Sequence, residues 1–360
     1  GKLNTDWDAI WDLKTQRTEE GWTAEIAIPF KSLSFPEGSD TWGFNINRSI
    51  YRKLEQDRWS GARLEAGFLQ VSEAGEITNL KGMKQGVGLD IRPFIASRWL
   101  NKSGSDGDFD FDPGMDLFYN ITPSLRFTGT VNTDFGETEA DARQINLSRY
   151  SLFFPEKRAF FLEDAGVFDF SSTGPSPAGG LGRTGADVYP FFSRRIGLLN
   201  GTEVPLMLGG KLTGTIGSRD IGILYARTDE TSLVEKKDFF VGRFKQNILE
   251  QSYIGGIVTD GHPSAGTSGQ TYGLDLHLAT SDFLDRKNLV FNSYVLKGQT
   301  DGVSGDDSSY GFWAQYPNDK WDAQFVFREI QKNFNPGIGF AQRKNVRMYR
   351  VAGSYNPRPK

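Results

Sequence analysis

The sequence predicts an all-β protein, and three observations carry that expectation. The 360 residues include 42 glycines and 13% aromatics but only 38% hydrophobic residues, a composition of strands and turns rather than of alanine-rich helices. Segments that alternate apolar and polar side chains follow one another between clusters of Gly, Asp, Asn and Ser. No run of about 18 apolar residues occurs, which removes a membrane-spanning helix but not spanning strands, whose signal of about 9–11 residues hides in alternation.

Taken in order, residues 1–83 read as one unit of short strands and turns. Glu25 to Ile28 alternate before Pro29, Trp42 to Ile50 alternate around Phe44, Ile46 and Arg48, and Pro36-Glu37-Gly38 signals a turn. Trp7, Trp11, Trp22, Trp42 and Trp59 fall here, five of the eight tryptophans. The pattern is that of part of a β-sandwich. From residue 84 to 360 the alternating segments lengthen. Leu125, Phe127, Gly129 and Val131 alternate with Arg126, Thr128, Thr130 and Asn132, and Tyr272, Leu274, Leu276 and Leu278 with Gly273, Asp275, His277 and Ala279. The segment Leu206 to Ile216 behaves alike. Further strands are expected at Leu89 to Trp99, Met115 to Ile121, Ile221 to Tyr225, Phe239 to Phe244, Tyr253 to Thr259, Leu289 to Lys297, Phe312 to Tyr316, Trp321 to Phe327 and Val346 to Tyr355. Short connections such as Gly217-Ser218-Arg219-Asp220 join several of them as hairpins.

One greasy and one wet side per strand fits two architectures equally. A lipid-embedded barrel carries its apolar side outward and pairs every backbone group between strands. A soluble sandwich carries its polar side outward. Aromatics near strand ends, among them Trp99, Tyr119, Tyr225, Trp313, Tyr316, Trp321 and Tyr349, resemble interfacial girdles and lean toward the membrane.

Composition excludes several chemistries. A formal net charge of -4 with mixed signs lacks the basic face that displaces counterions from phosphate, so nucleic acid is not an expected partner. The absence of cysteine removes disulfides, thiolate metal sites and cysteine nucleophiles, and His262 and His277 leave little for zinc or triad chemistry. No phosphate-binding glycine loop, serine elbow or metal motif occurs. The chain opens at Gly1-Lys2-Leu3 without a charged-then-apolar leader, so a start further upstream, or removal of a leader, is expected.

The most distinctive stretch runs from Asn132-Thr133-Asp134-Phe135-Gly136-Glu137 through Phe153-Phe154-Pro155-Glu156-Lys157-Arg158-Ala159-Phe160-Phe161-Leu162-Glu163 to Phe191-Phe192-Ser193-Arg194-Arg195-Ile196-Gly197. Phenylalanines set among fixed charges between strand-like segments suggest a folded-in loop. The run resembles one found between the early strands of bacterial outer-membrane barrel proteins with an N-terminal domain like carbohydrate-binding module family nine. Thr5-Asp6-Trp7, Gly21 to Phe30 and Trp42 to Arg48 resemble the second half of that domain. Thr133 and Ala159 depart from the family pattern, which often has proline there, and so put the rigidity of those turns in question.

The resemblance implies the C-terminal part of a family-nine-like sandwich over 1–83, then an antiparallel transmembrane barrel over 84–360, complete or incomplete within this chain. An insert at 135–200 would lie in or over its lumen as a plug. A Gram-negative outer membrane with a periplasmic N-terminal domain is the implied location, outer-membrane lipid the implied partner, and glycans and other outer-membrane proteins the further candidates. The function expected is a solute- or glycan-related channel or import component; the alternatives are a plugged scaffold that docks secretion or other outer-membrane components, and a glycan hydrolase.

Glu156, Lys157, Arg158, Glu163, Asp164, Arg194 and Arg195 could line a constriction whose fixed charges filter solutes. The plainer expectation is that they pair with one another and with the wall, pinning the insert. Trp7, Trp11 and Trp59 could stack on sugar rings, although core packing accounts for tryptophans in a small domain more simply. Asp106, Asp108, Asp110 and Asp112, with Asp301, Asp306 and Asp307 in a second glycine-rich loop, offer oxygen ligands for calcium, but neither run has calcium-loop spacing and a solvated loop is expected. No cofactor is expected. Glu137, Glu139 and Asp141 are the densest acids near the insert and are expected to cap or pair rather than catalyse.

Overall fold

The structure is a computed structural model that describes residues 11–36, 38–84, 88–100, 108–132, 156, 158–171, 188–199, 202–232 and 234–358. Trp7, Asp106, Glu137, Glu139, Asp141, Phe153, Phe154, Pro155 and Lys157 lie outside the described residues. The chain is nearly all β and is dominated by one antiparallel sheet of 12 strands.

Those strands are β1 (Leu89–Leu100), β2 (Asp108–Thr122), β3 (Leu125–Val131), β4 (Leu206–Ile216), β5 (Arg219–Thr228), β6 (Lys237–Ile248), β7 (Ser252–Asp260), β8 (Gly269–Phe283), β9 (Lys287–Thr300), β10 (Ser308–Pro317), β11 (Trp321–Ile330) and β12 (Val346–Tyr355). They pair in strict sequence order, each with its neighbours, so every link is a hairpin except the long excursion between β3 and β4. Among the described residues β1 and β12 do not pair with each other, and the sheet is open at that seam. Every strand expected from alternation over 84–360 is present, usually a few residues longer than its apolar core.

The hairpins make the two ends of the sheet unlike. At one end the connections are tight: 123–124, 217–218, 249–251, 284–286 and 318–320. At the other they are long: 132–205, 229–236, 261–268, 301–307 and 331–345. Residues 11–84 sit at the tight-turn end. Phe35 donates its N–H to Pro123 O at 3.0 Å, Lys287 bonds Glu65, and Gln70 Nε2 reaches Ser281 Oγ and Asn288 Oδ1 at 3.0 and 3.1 Å.

This N-terminal region forms three separate two-stranded ladders, Asp12–Thr18 with Gly21–Ala27, Trp42–Phe44 with Gly75–Ile77, and Asn47–Ile50 with Glu55–Arg58. The single strand expected over Trp42 to Ile50 is thus divided in two. Asn45 is the cause: its Oδ1 accepts from the N–H of Ile46 at 3.0 Å and of Ser60 at 3.1 Å, offering the backbone a local partner in place of a ladder.

The two faces of the large sheet differ as alternation requires. One face bears Leu212, Ile223, Phe244, Ile254, Leu274, Phe291, Phe312, Phe325 and Val351, partly or fully exposed. The other bears Lys211, Thr213, Arg243, Asp275, Asn292 and Arg328, all buried. The inner face is buried because the insert lies on it. Phe160, Phe161, Phe168, Phe170, Val188 and Ile196 join Leu224, Val241, Ile257 and Leu296 of the wall, and Phe334 and Ile338 of the last long loop, in one core. Glycines on the inner face make the sockets: a Cβ at Gly222 would meet Phe168 at 2.9 Å, and one at Gly273 would meet Phe170 at 2.9 Å.

Candidate functional site on the inner face

The insert is held by charges at its own turns. A short helix, Ala159–Leu162, begins just after Arg158. Its first residue is Ala159, the helical position that suits proline as well, so the departure from the resembled pattern leaves the turn intact. Arg158 is 1% exposed. Its guanidinium forks onto Glu156, Nε to Oε1 at 2.9 Å and Nη2 to Oε2 at 2.7 Å, and also donates to the carbonyls of Ile196 at 2.8 Å and Ser193 at 2.9 Å. Ser193 Oγ closes the ring on Glu156 Oε2 at 2.6 Å. Burial is the largest single influence on the Glu156 carboxyl and opposes its charge, but the hydrogen bonds and charge of Arg158, with the Ser193 hydroxyl, outweigh it and hold its pKa below the usual range. Arg158 also lies over the ring of Phe161 at 4.1 Å, so the pair ties two stretches of the insert, 156–163 and 193–197, into one body.

That body is bolted to the wall by side chains the sequence reading did not single out. Arg126 of β3 pairs with Glu163, Lys211 of β4 donates to the carbonyls of Phe160 and Glu163, and Thr213 Oγ1 donates to Asp164 Oδ2 at 2.9 Å. Burial pushes the Glu163 pKa up, against the pull of Arg126. Further along, Asp275 of β8 takes both Nη atoms of Arg243 of β6 at 2.7 and 2.8 Å and accepts the N–H of Ser171 at 3.1 Å, while Ser171 Oγ meets Tyr253 OH at 3.0 Å. Arg243 and Asp275 reach each other across the intervening strand β7 because Gly255 lies between them; a Cβ there would come within 2.7 Å of both.

At the long-loop end the insert pairs Val188–Tyr189 with Phe340–Ala341, and Phe192 N–H donates to Ile338 O at 2.9 Å. Arg194 and Arg195 follow on a single turn, Ser193–Arg195. Arg194 is 8% exposed. Burial lowers the pKa of Arg195, and burial followed by the Arg195 charge lowers those of Lys344 and His262. The expected charges therefore divide: Glu156 and Arg158 join each other, Glu163 and Asp164 join the wall, Arg195 lies near His262 and Lys344, and Arg194 is buried next to it in the chain.

The other expected sites separate further. Trp11 and Trp59 are exposed, and Trp59 packs its ring on Phe44, centroids 5.5 Å apart, and over Gly75. Asp108, Asp110 and Asp112 belong to strand β2 rather than to a loop, which corrects the expectation of a glycine-rich turn: the hairpin partner β1 extends to Leu100 and pairs with Asp108. Asp301 is engaged by the N–H and Oγ of Ser268 at 2.9 and 2.7 Å, and Asp307 by Lys297 at 3.0 Å. Among the described residues no group of three or more His, Asp or Glu could hold a metal ion.

Residues 86–202 match the model of a family described as a domain of unknown function, DUF5916. The match covers β1 to β3 and the insert, the stretch in which the distinctive Phe- and charge-rich run lies. No curated protein matches the chain.

Proposed function

We propose that the chain belongs to an outer-membrane protein of a Gram-negative bacterium, in which the 12 strands form a lipid-embedded wall, the insert plugs it, and residues 11–84 lie on the periplasmic side as part of a solute or glycan uptake device. The observation that carries this reading is the outward face. Its middle is aliphatic and phenylalanine-rich on strand after strand, and Phe312 alone lies within 5.5–6.1 Å of Phe291, Phe325 and Phe327. Toward the tight turns it ends in Tyr119, Tyr316, Trp321 and Tyr355, and toward the long loops in Tyr225, Tyr272, Tyr310 and Tyr349. Just beyond the second group, charged pairs appear on the same face, Arg227 with Asp238 and Arg347 with Glu329, each at 2.7 Å. On β11 the apolar stretch Trp321 to Phe327 spans about 20 Å at ~3.4 Å per residue, close to the ~25 Å band of outer-membrane barrels. No helix among the described residues is long and apolar enough to cross a membrane, so strands carry the reading. Tight turns at the periplasmic end and long loops outside are the usual polarity of such barrels, and the N-terminal region sits on the tight turns.

A specific observation favours a second reading, the plugged scaffold. Glu156, Arg158, Glu163 and Asp164 spend their charges on one another and on the wall rather than on open space. Conductance separates the two readings. The primary test is outer-membrane fractionation of the intact protein with unheated and boiled samples compared on a detergent gel. A membrane-bound species with heat-dependent migration is expected; a soluble species with no shift would overturn the membrane reading.

A further inference from the structure

Between residues 65–72 of the N-terminal region and the tight-turn ends of β7 to β10 lies a cavity of about 940 Å³. It is the size of a ligand pocket rather than of a packing defect. Its polar lining is amide and hydroxyl: Gln70, Ser72, Gln251, Thr280, Ser281 and Asn288, with His277 at its inner end. Among the described residues no lysine or arginine lines it, and Glu65 at its rim is already spent on Lys287. Leu69, Val71 and Val290 supply an apolar strip beside these groups.

Behind His277, and outside the residues that line the cavity, further polar groups are unmet. On the inner face one pleat beyond Val290, Asn292 is 2% exposed and offers its Nδ2 to nothing among the described residues, while its Oδ1 is held by His277 Nδ1 at 2.9 Å. Trp313, directly opposite Asn292 on β10, has a buried indole Nε1 in the same condition. Gln324, on the next strand, has a buried Oε1 likewise unmet. Two donors and an acceptor on three adjacent strands, all on the inner face, sit where their desolvation is a cost unless something bonds them. His277 itself is stacked on Tyr253 at 5.2 Å, which fixes its ring beside the cavity.

We infer that this cavity is a binding site for a neutral, polyhydroxylated solute, a short oligosaccharide, held between the N-terminal region and the inner wall. Amide and hydroxyl side chains donate and accept in pairs, as adjacent sugar hydroxyls do, and the apolar strip matches the C–H face of a pyranose ring. An anionic solute would meet Glu250 and, among the described residues, no lining lysine or arginine. The inference rests on the uptake reading for its biological direction, since ligand held on the tight-turn side would be solute arriving at the periplasmic mouth. The binding itself does not depend on that reading.

The test is equilibrium binding to the full chain in detergent, followed by tryptophan fluorescence and calorimetry. The probes are maltohexaose, cellohexaose, xylohexaose and chitohexaose, with hexagalacturonate as the charged control. Saturable binding of at least one neutral hexasaccharide is expected, at least tenfold tighter than hexagalacturonate. Gln251→Leu, which removes an amide from the lining, and Ala279→Trp, which fills the cavity from its wall, should each weaken that binding tenfold or more while keeping the heat-dependent gel shift. Absence of saturable binding for all four neutral probes, or equal affinity in variants that keep the shift, would overturn the inference. Should both variants lose the shift, the wild-type panel decides alone. A heat shift without binding removes this site and leaves the membrane reading; binding by a soluble protein with no shift does the reverse.

Discussion

The insert and the N-terminal region both rest on the same sheet, and they are attached by opposite means. The insert brings Phe160, Phe161, Phe168 and Phe170 into the common core and buries Arg158 and Arg194 with them. Residues 11–84 bury only Phe35 and Ala66 among the described residues, and Trp22, Leu54 and Leu64 stay exposed. The N-terminal region is fastened instead by polar bonds to tight turns, with an open cavity left at the junction. Burial area makes the insert part of what stabilises the wall, whereas the junction, with little apolar area, is the place where parts of the molecule can separate at small cost.

Breaking the insert should therefore have the largest effect. Arg158→Leu leaves Glu156 buried without its partner, a loss of about 3–5 kcal/mol for a buried pair. The expected outcome is a lowered urea midpoint and tryptic cleavage within the insert; an unchanged midpoint would mean that the pair does not hold it. Gly255→Val pushes a side chain between Arg243 and Asp275 and should cost about 1–3 kcal/mol as overpacking, read as an earlier heat-induced shift on gels, with Gly255→Ala intermediate.

Acid should act on the insert as well. The folded-state pKa of Glu156 is depressed, so its stabilising contribution is present above the ordinary carboxylate pKa and is lost as pH falls through the folded value. Protection of the insert against pepsin, which cuts in acid, should fall below pH ~4, and Glu156→Gln should flatten that dependence. At the junction, Lys287→Ala removes a solvent-screened ion pair with Glu65 and should leave the urea midpoint nearly unchanged. Hydrogen exchange in residues 63–72 should nevertheless rise, which distinguishes a local latch from a global brace.

The wall was legible because period-two alternation is local: each of the 12 strands shows it within its own sequence. The Phe- and charge-rich insert was legible for the same reason, as an anomaly between strands. Its bolts were not. Arg126, Lys211 and Thr213 look like ordinary polar positions of alternating strands, and only the fold brings them to Glu163, Phe160 and Asp164. Gly255 lies unmarked inside the expected strand Tyr253 to Thr259, because its value is in a pair formed by residues on either side of its strand. The division at Asn45 was missed because alternation continues through it while a side chain takes the hydrogen bonds. The unmet groups of Asn292, Trp313 and Gln324 belong to three strands and have no sequence signature at all.

Contact between the apolar face of the sheet and lipid is directly measurable by single-cysteine scanning, because the sequence contains no cysteine. Cysteine placed in turn at Ala323, Gln324, Phe325, Val326 and Phe327 of β11, labelled with an environment-sensitive fluorophore, would be challenged in bilayers with a lipid-attached nitroxide quencher. Strong quenching at positions 323, 325 and 327 with weak quenching at 324 and 326 is the expected result. Uniform quenching along β11, or quenching only from the aqueous phase, would contradict it.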